Sequence, residues 1–175
     1  MDAFVLSGEM EVQYSSTLAR TDEFCRRRLS VEAMTPLRRR IEMIVDSALQ
    51  ALDRLVGTWK ITGGHEGTVT YRWLNDFFLQ QDVQLGDTHG FEIIGRERRL
   101  MAEPSADIKS RYYGDDGSTL DYTYELEGDI LTIWAGERGS PAYFQGVFSA
   151  DGRALTGAWV YPGGGGYDSN AERVD

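Results

Sequence analysis

A mainly β fold, an antiparallel up-and-down barrel of about ten strands entered through one amphipathic helix, is what this sequence predicts. Three observations predict it. Apolar residues recur at spacings of three and four as far as Leu55 and no further. From Leu55-Val56-Gly57-Thr58-Trp59 onward the pattern becomes a succession of short alternating runs. Turn residues, with no helical stretch between them, separate those runs, and hairpins joined in series make an antiparallel meander. Closing the meander on itself removes its exposed edges, which favours a barrel over the rival two-sheet sandwich.

The helix begins at Thr35-Pro36, a hydroxyl at the N-cap followed by proline at the first helical position. Leu37, Ile41, Ile44, Val45, Ala48, Leu52 and Leu55 then make one apolar stripe over about five turns. Arg38-Arg39-Arg40 lies off most of that stripe, as a solvated face should. Such a helix packs over an open end or a side of the barrel; docking a partner is the alternative. Residues 1–34 carry no clean period and read as a mobile N-terminal extension to a helix-plus-barrel domain at 35–175. Within the extension, Arg26-Arg27-Arg28 reads as solvated charge. Cys25 is the single cysteine, so no intrachain disulfide forms, and it has no neighbouring cysteine or histidine to activate it.

The strands are predicted at 56–62, 67–74, 77–85, 91–100, 108–114, 119–126, 130–136, 142–149, 154–161 and 166–174. The Gly57-Thr58-Trp59 step suits a first strand: glycine lets the chain bend sharply, and the indole can plug one end of a barrel. Asp116-Gly117, Gly128-Asp129 and Asp151-Gly152 are strong hairpin signals, and Asn75-Asp76 and Gly90 punctuate the earlier runs. Alternation places Val69, Tyr71 and Trp73 on one face of their strand. It does the same for Leu120, Tyr122, Tyr124 and Leu126, and for Leu155, Gly157, Trp159 and Tyr161. These aromatic-rich faces are expected to point inward. Buried phenols and indoles then need polar partners, water or a ligand in the lumen.

Charge and cysteine narrow the partners. The formal net charge is -10, with 11 basic and 20 acidic residues in 49–175. An acidic body repels phosphate backbones and anionic headgroups, so neither nucleic acid nor a membrane surface is expected as a partner. No basic n-region followed by an apolar h-region opens the chain, and no apolar run is long enough to span a bilayer as a helix, so no signal peptide is expected. A cytoplasmic protein, monomeric or weakly homodimeric, is the expectation.

The run from the helix through Leu55-Val56-Gly57-Thr58-Trp59 into about ten strands resembles the calycin-type barrels, which include lipocalins, fatty-acid-binding proteins and nitrobindin-like proteins. The segments Asp107-Ile108-Lys109-Ser110-Arg111-Tyr112-Tyr113 and Leu120-Asp121-Tyr122-Thr123-Tyr124-Glu125-Leu126-Glu127-Gly128-Asp129 resemble a group of small bacterial lipocalin-like proteins of unknown function. So does Gly157-Ala158-Trp159-Val160-Tyr161-Pro162, with the glycine run that follows it. The resemblance covers about residues 48–175, and it implies a barrel with a small-molecule cavity but no particular chemistry. Nitrobindin-like proteins bind haem through a histidine late in the chain. No histidine follows His89 here, so no haem, and no other cofactor, is expected.

The chemistry-bearing residues are few. His65 and His89, the only histidines, fall in predicted loops and lack the converging ligands a metal needs. Pro162-Gly163-Gly164-Gly165-Gly166 has neither the lysine nor the helix of a phosphate loop and reads as a flexible connection beside a barrel mouth. Arg96, Arg98 and Arg99 with Glu92 and Glu97 read as a solvent face with cross-strand ion pairs. Asp82 and Glu92, on adjacent strands, are a possible acid–base pair. With no histidine or lysine beside them, they read as charges on the polar face. The candidate ligand contacts are therefore the lumen aromatics Tyr71, Trp73, Tyr122, Tyr124, Trp134, Trp159 and Tyr161. Gln81 and Gln145 are the candidate polar contacts. Non-enzymatic binding of a small, mostly apolar molecule is the expected function. The alternatives are an isomerase, cyclase or hydrolase using lumen tyrosines and a carboxylate, and a structural or interaction protein acting through its helix.

Overall fold

The computed structural model describes residues 46–174. The predicted extension at 1–34 and the helix start at Thr35-Pro36 lie outside them. Asp46 caps a short helix, α1 (Ser47–Ala51), its carboxylate accepting from the backbone N–H groups of Ala48 at 3.2 Å and Leu49 at 3.4 Å. A 3-10 turn (Leu52–Leu55) follows directly. The apolar stripe that predicts one helix from Thr35 to Leu55 is therefore broken: Asp46 has ψ 101°, outside the helical region. Asp46 reads in sequence as one polar residue in a helix, and its short carboxylate instead caps the start of α1.

Ten strands follow: β1 (Gly57–Gly63), β2 (Gly67–Asn75), β3 (Phe78–Leu85), β4 (Thr88–Gly95) and β5 (Ile108–Gly114), then β6 (Thr119–Glu127), β7 (Ile130–Ala135), β8 (Tyr143–Phe148), β9 (Ala154–Tyr161) and β10 (Gly165–Arg173). Each pairs antiparallel with the next, and β10 pairs with β1 to close the barrel. The hairpin glycines behave as their sequence context requires. Gly117 and Gly152 take φ of 85° and 68°, the left-handed region where a side chain is costly.

The largest departure from the predicted strands is at β4. It ends at Gly95, and the predicted strand residues 96–100 leave the sheet. Arg96 explains the departure. Its guanidinium turns back to the Asp46 carboxylate, Nη2 to Oδ1 at 2.8 Å, and donates to the carbonyls of Ser105, at 3.0 Å, and Ala106. One arginine thus gathers the helix cap and both ends of the long β4–β5 connection.

The helix and the 3-10 turn close one end of the barrel. Leu49, Leu52 and Leu55 are buried there with Leu79, Ile94 and Ile108, at the ends of β3, β4 and β5 nearest the helix. Trp59 completes the plug. It is 2% exposed, and its indole N–H donates to the Leu55 carbonyl at 2.7 Å. The Arg173 guanidinium covers its ring at 4.4 Å and donates to the carbonyls of Arg54 and Val56. Chain entry and chain exit are locked together across β1 and β10. No helix among the described residues is long and apolar enough to cross a membrane.

Candidate functional site

The interior is not filled. A cavity of about 260 Å³ opens at the end opposite the helix, close to the lower bound of roughly 300 Å³ for ligand pockets. Its floor is Leu55 and Trp59. Apolar wall comes from Val69, Val83, Leu131, Ile133, Phe144 and Leu155, contributed by five different strands. Two glycines make room on one side. Gly146 and Gly157 face each other across β8 and β9, and a Cβ on Gly146 would lie 2.7 Å from Cζ of Phe144. The Phe144 ring lies over this side-chain-free patch. Leu120, Tyr167 and the exposed His65 mark the mouth, with His65 and Tyr167 rings edge-to-face at 4.9 Å.

Register builds the polar part of the cavity. Tyr71 of β2 pairs with Gln81 of β3, Gln81 pairs with Glu92 of β4, and Glu92 pairs with Tyr112 of β5. Residues opposite each other in antiparallel strands share a face. One inward residue therefore commits its neighbours, and all four line the cavity as a band across the wall. Gln81 Nε2 donates to the Tyr71 hydroxyl at 2.7 Å. Tyr124, from β6, hydrogen-bonds with its hydroxyl to both Tyr71 and Glu92.

Glu92 is the electrostatic centre. It is 4% exposed. Burial pushes its carboxyl up from 4.5 to about 7, while the Ser110 and Tyr124 hydroxyls pull it down less strongly. Oε1 of Glu92 is buried without a hydrogen-bond partner. The surrounding phenols respond to the same environment. Tyr71, Tyr122 and Tyr124 are raised above the ordinary tyrosine value, first by burial and then by the Glu92 charge. They therefore stay protonated and can donate. A carboxyl poised near neutrality among neutral donors can accept a ligand's proton-bearing group or exchange a proton with it.

Of the sequence-predicted contacts, Tyr71, Gln81, Tyr122, Tyr124 and Trp159 line this cavity. The other four do not. Trp73 lies at the helix end, where its indole N–H donates to Asp53 at 2.8 Å. Tyr161 is exposed beyond the mouth, its ring 6.1 Å from that of Tyr167. Trp134 and Gln145 face outward, because their neighbours Ile133 and Phe144 are the ones that line the lumen. Trp134 packs on Tyr143 at 5.1 Å, and exposed Gln145 donates to Thr132 at 3.3 Å. The supposed carboxylate pair separates in the same way. Asp82 is ion-paired with Arg72 outside, and Glu92 is inside. The reading of Glu92 as a solvent-face charge is thus overturned; of the arginines read with it, Arg96 pairs with Asp46 instead.

Among the described residues, no group of three or more histidine, cysteine, aspartate and glutamate side chains converges as metal ligands do. Neither a protein-family model nor a curated protein matches this chain.

Proposed function

We propose that the barrel binds a small, mostly apolar molecule in its lumen, as the resemblance to calycin-type barrels implies. The observation that carries this reading is the open, aromatic-walled cavity with a single polar band on one side. Ligand pockets have this composition: mainly apolar surface for affinity, and a few placed polar groups for orientation. A solid-cored barrel has no such space. Leu49, Leu52 and Leu55, the described part of the predicted apolar stripe, are buried in the barrel core. A cytoplasmic setting suits the acidic, disulfide-free chain.

Native mass spectrometry of the purified protein tests the reading. A co-purified small molecule, lost on denaturation, is the expected result. An apolar fluorescent probe should also bind saturably and change tryptophan emission, since Trp59 and Trp159 line the space. A probe that binds only as the protein unfolds would refute lumen binding.

A second reading, an enzyme using the same lumen, is favoured by one observation. Glu92, held near 7 beside the Tyr124 hydroxyl, has the character of a general acid–base group. Turnover of a bound molecule, abolished in Glu92→Gln with binding retained, is the result that would select it.

A further inference from the structure

We infer that the lumen is built for a hydrophobic amine, an alkyl or aryl chain ending in an ammonium that sits against Glu92. The inference rests on the lumen-binding reading above and gives it a ligand class.

The charge balance of the cavity comes first. Among the described residues, Glu92 is the only acid that lines it and no lysine or arginine does; the exposed His65 sits at the mouth. The arginines nearest in the strand register face outward: Arg72 pairs with Asp82, and Arg111 with Asp121 at 2.6 Å. A fatty carboxylate or a phosphate ester would bring a second anion beside Glu92 with no cation to offset it, and burying an uncompensated charge is costly. Fatty acids are thereby disfavoured, whatever the shape of the lumen.

Hydrogen bonding comes second. Oε1 of Glu92 is buried, faces a cavity and has no donor. Leaving a buried acceptor unmade is expensive, so such an atom points to a missing donor. An ammonium supplies three donors and no acceptor. The Glu92 carboxylate can take one, and the Ser110 hydroxyl beside it has an acceptor to offer a second. Gln81 donates through its amide nitrogen to Tyr71, and Oε1 of Glu92 has no donor from it.

The third observation is the aromatic lining. Tyr71, Tyr112, Tyr122 and Tyr124 surround the polar band, with Trp159 above and Phe144 beside it. Ring faces attract cations and do nothing comparable for anions. The apolar wall formed by Val69, Val83, Leu131 and Ile133 is left for the hydrocarbon part.

Octylamine, octanol and octanoate, with the same chain and three head groups, separate the possibilities when titrated against the protein's tryptophan emission. At about pH 8 an alkylamine is protonated, as the lysine side chain is. Octylamine should bind roughly tenfold or more tighter than octanol, the margin of a charge-assisted hydrogen bond, and octanoate should bind weakest. Glu92→Gln should remove the preference of amine over alcohol while keeping octanol affinity, which also shows that the variant is folded. If octanol binds saturably and octylamine binds no tighter, the amine inference fails and lumen binding stands. Octanoate binding as tightly as the amine overturns the inference in the same way. If none of the three saturates, the lumen-binding reading itself fails.

Discussion

Replacing Glu92 by glutamine should stabilise the empty barrel, and only above acidic pH. Folding holds the carboxyl at about 7 against an ordinary value of 4.5, chiefly through burial. Each pKa unit is worth about 1.4 kcal/mol, so the proton is held by about 3 kcal/mol more in the folded state. Between pH 4.5 and 7 the unfolded chain has already lost that proton and the folded chain keeps it. Stability therefore falls as pH rises through this window, and levels off above it. Glutamine has the shape of the protonated acid and does not titrate, so the variant lacks the fall. Urea unfolding followed by tryptophan emission, at several pH values from about 4.5 to 8.5, gives the curve for each protein. The stability difference, variant minus wild type, should grow by about 3 kcal/mol across the series. The groups facing Glu92 do not blur it. Tyr71 on β2, Tyr112 on β5, and Tyr122 and Tyr124 on β6 are all raised and stay neutral throughout. Asp116, Asp121 and Asp151, which are lowered by hydrogen bonds, are common to both proteins and cancel. A difference that is flat with pH, or that shrinks as pH rises, would refute the claim that the carboxyl is buried in the folded state.

Three other outcomes follow from the packing. Trp59→Phe should cost about 1–3 kcal/mol, because the buried Leu55 carbonyl loses its donor; urea midpoints at unchanged slope measure it. Asp46→Asn keeps a capping oxygen and loses the ion pair to Arg96, whereas Asp46→Ala loses both, so Ala should be the worse by about 1 kcal/mol. Equal losses would mean that the cap contributes nothing. Trp134→Phe should be neutral or slightly stabilising, since it removes a buried indole N–H that has no acceptor. Trp134→Phe should also leave octanol binding unchanged, whereas Trp159→Ala should weaken it; a titration of both variants decides.

Where local chemistry determines the outcome, the residues disclose it. The Asp-Gly and Gly-Asp pairs mark three hairpins, and the alternation of Tyr71, Tyr122 and Tyr124 with polar neighbours marks an inward face. Local chemistry fails where the outcome is set by a distant partner. Arg96 continues an apparently strand-like run, but Asp46, fifty residues earlier, pulls it out of the sheet. The same contact explains the broken helix: the residue that interrupts the stripe is the one that caps α1 and binds Arg96.

Trp134 and Gln145 were misplaced for a different reason. In β7 and β8 both faces carry large side chains: Leu131 and Ile133 inside against Trp134 outside, Phe144 inside against Tyr143 and Gln145 outside. Aromatic character cannot choose a face when the outer surface is itself partly covered, as by the Trp134–Tyr143 contact. Glu92 shows the converse. In Phe91-Glu92-Ile93-Ile94 one phase is wholly apolar and the other pairs Glu92 with Ile94, and hydropathy assigns the acid to water. Phe91 is the exposed one, stacked on Tyr113 at 5.2 Å, while Glu92 and Ile94 are buried. A sequence signal for this did exist. Gln81 shares a phase with buried Leu79 and Val83, and a short turn at Gly86-Asp87 pairs Gln81 with Glu92. Register carried from one inward glutamine across that hairpin, rather than hydropathy read along β4, is what places the carboxylate in the lumen. The inward phase of a barrel strand is a property of its neighbours as much as of its own residues. A charged residue on that phase is therefore better assigned from its cross-strand partner than from its own polarity.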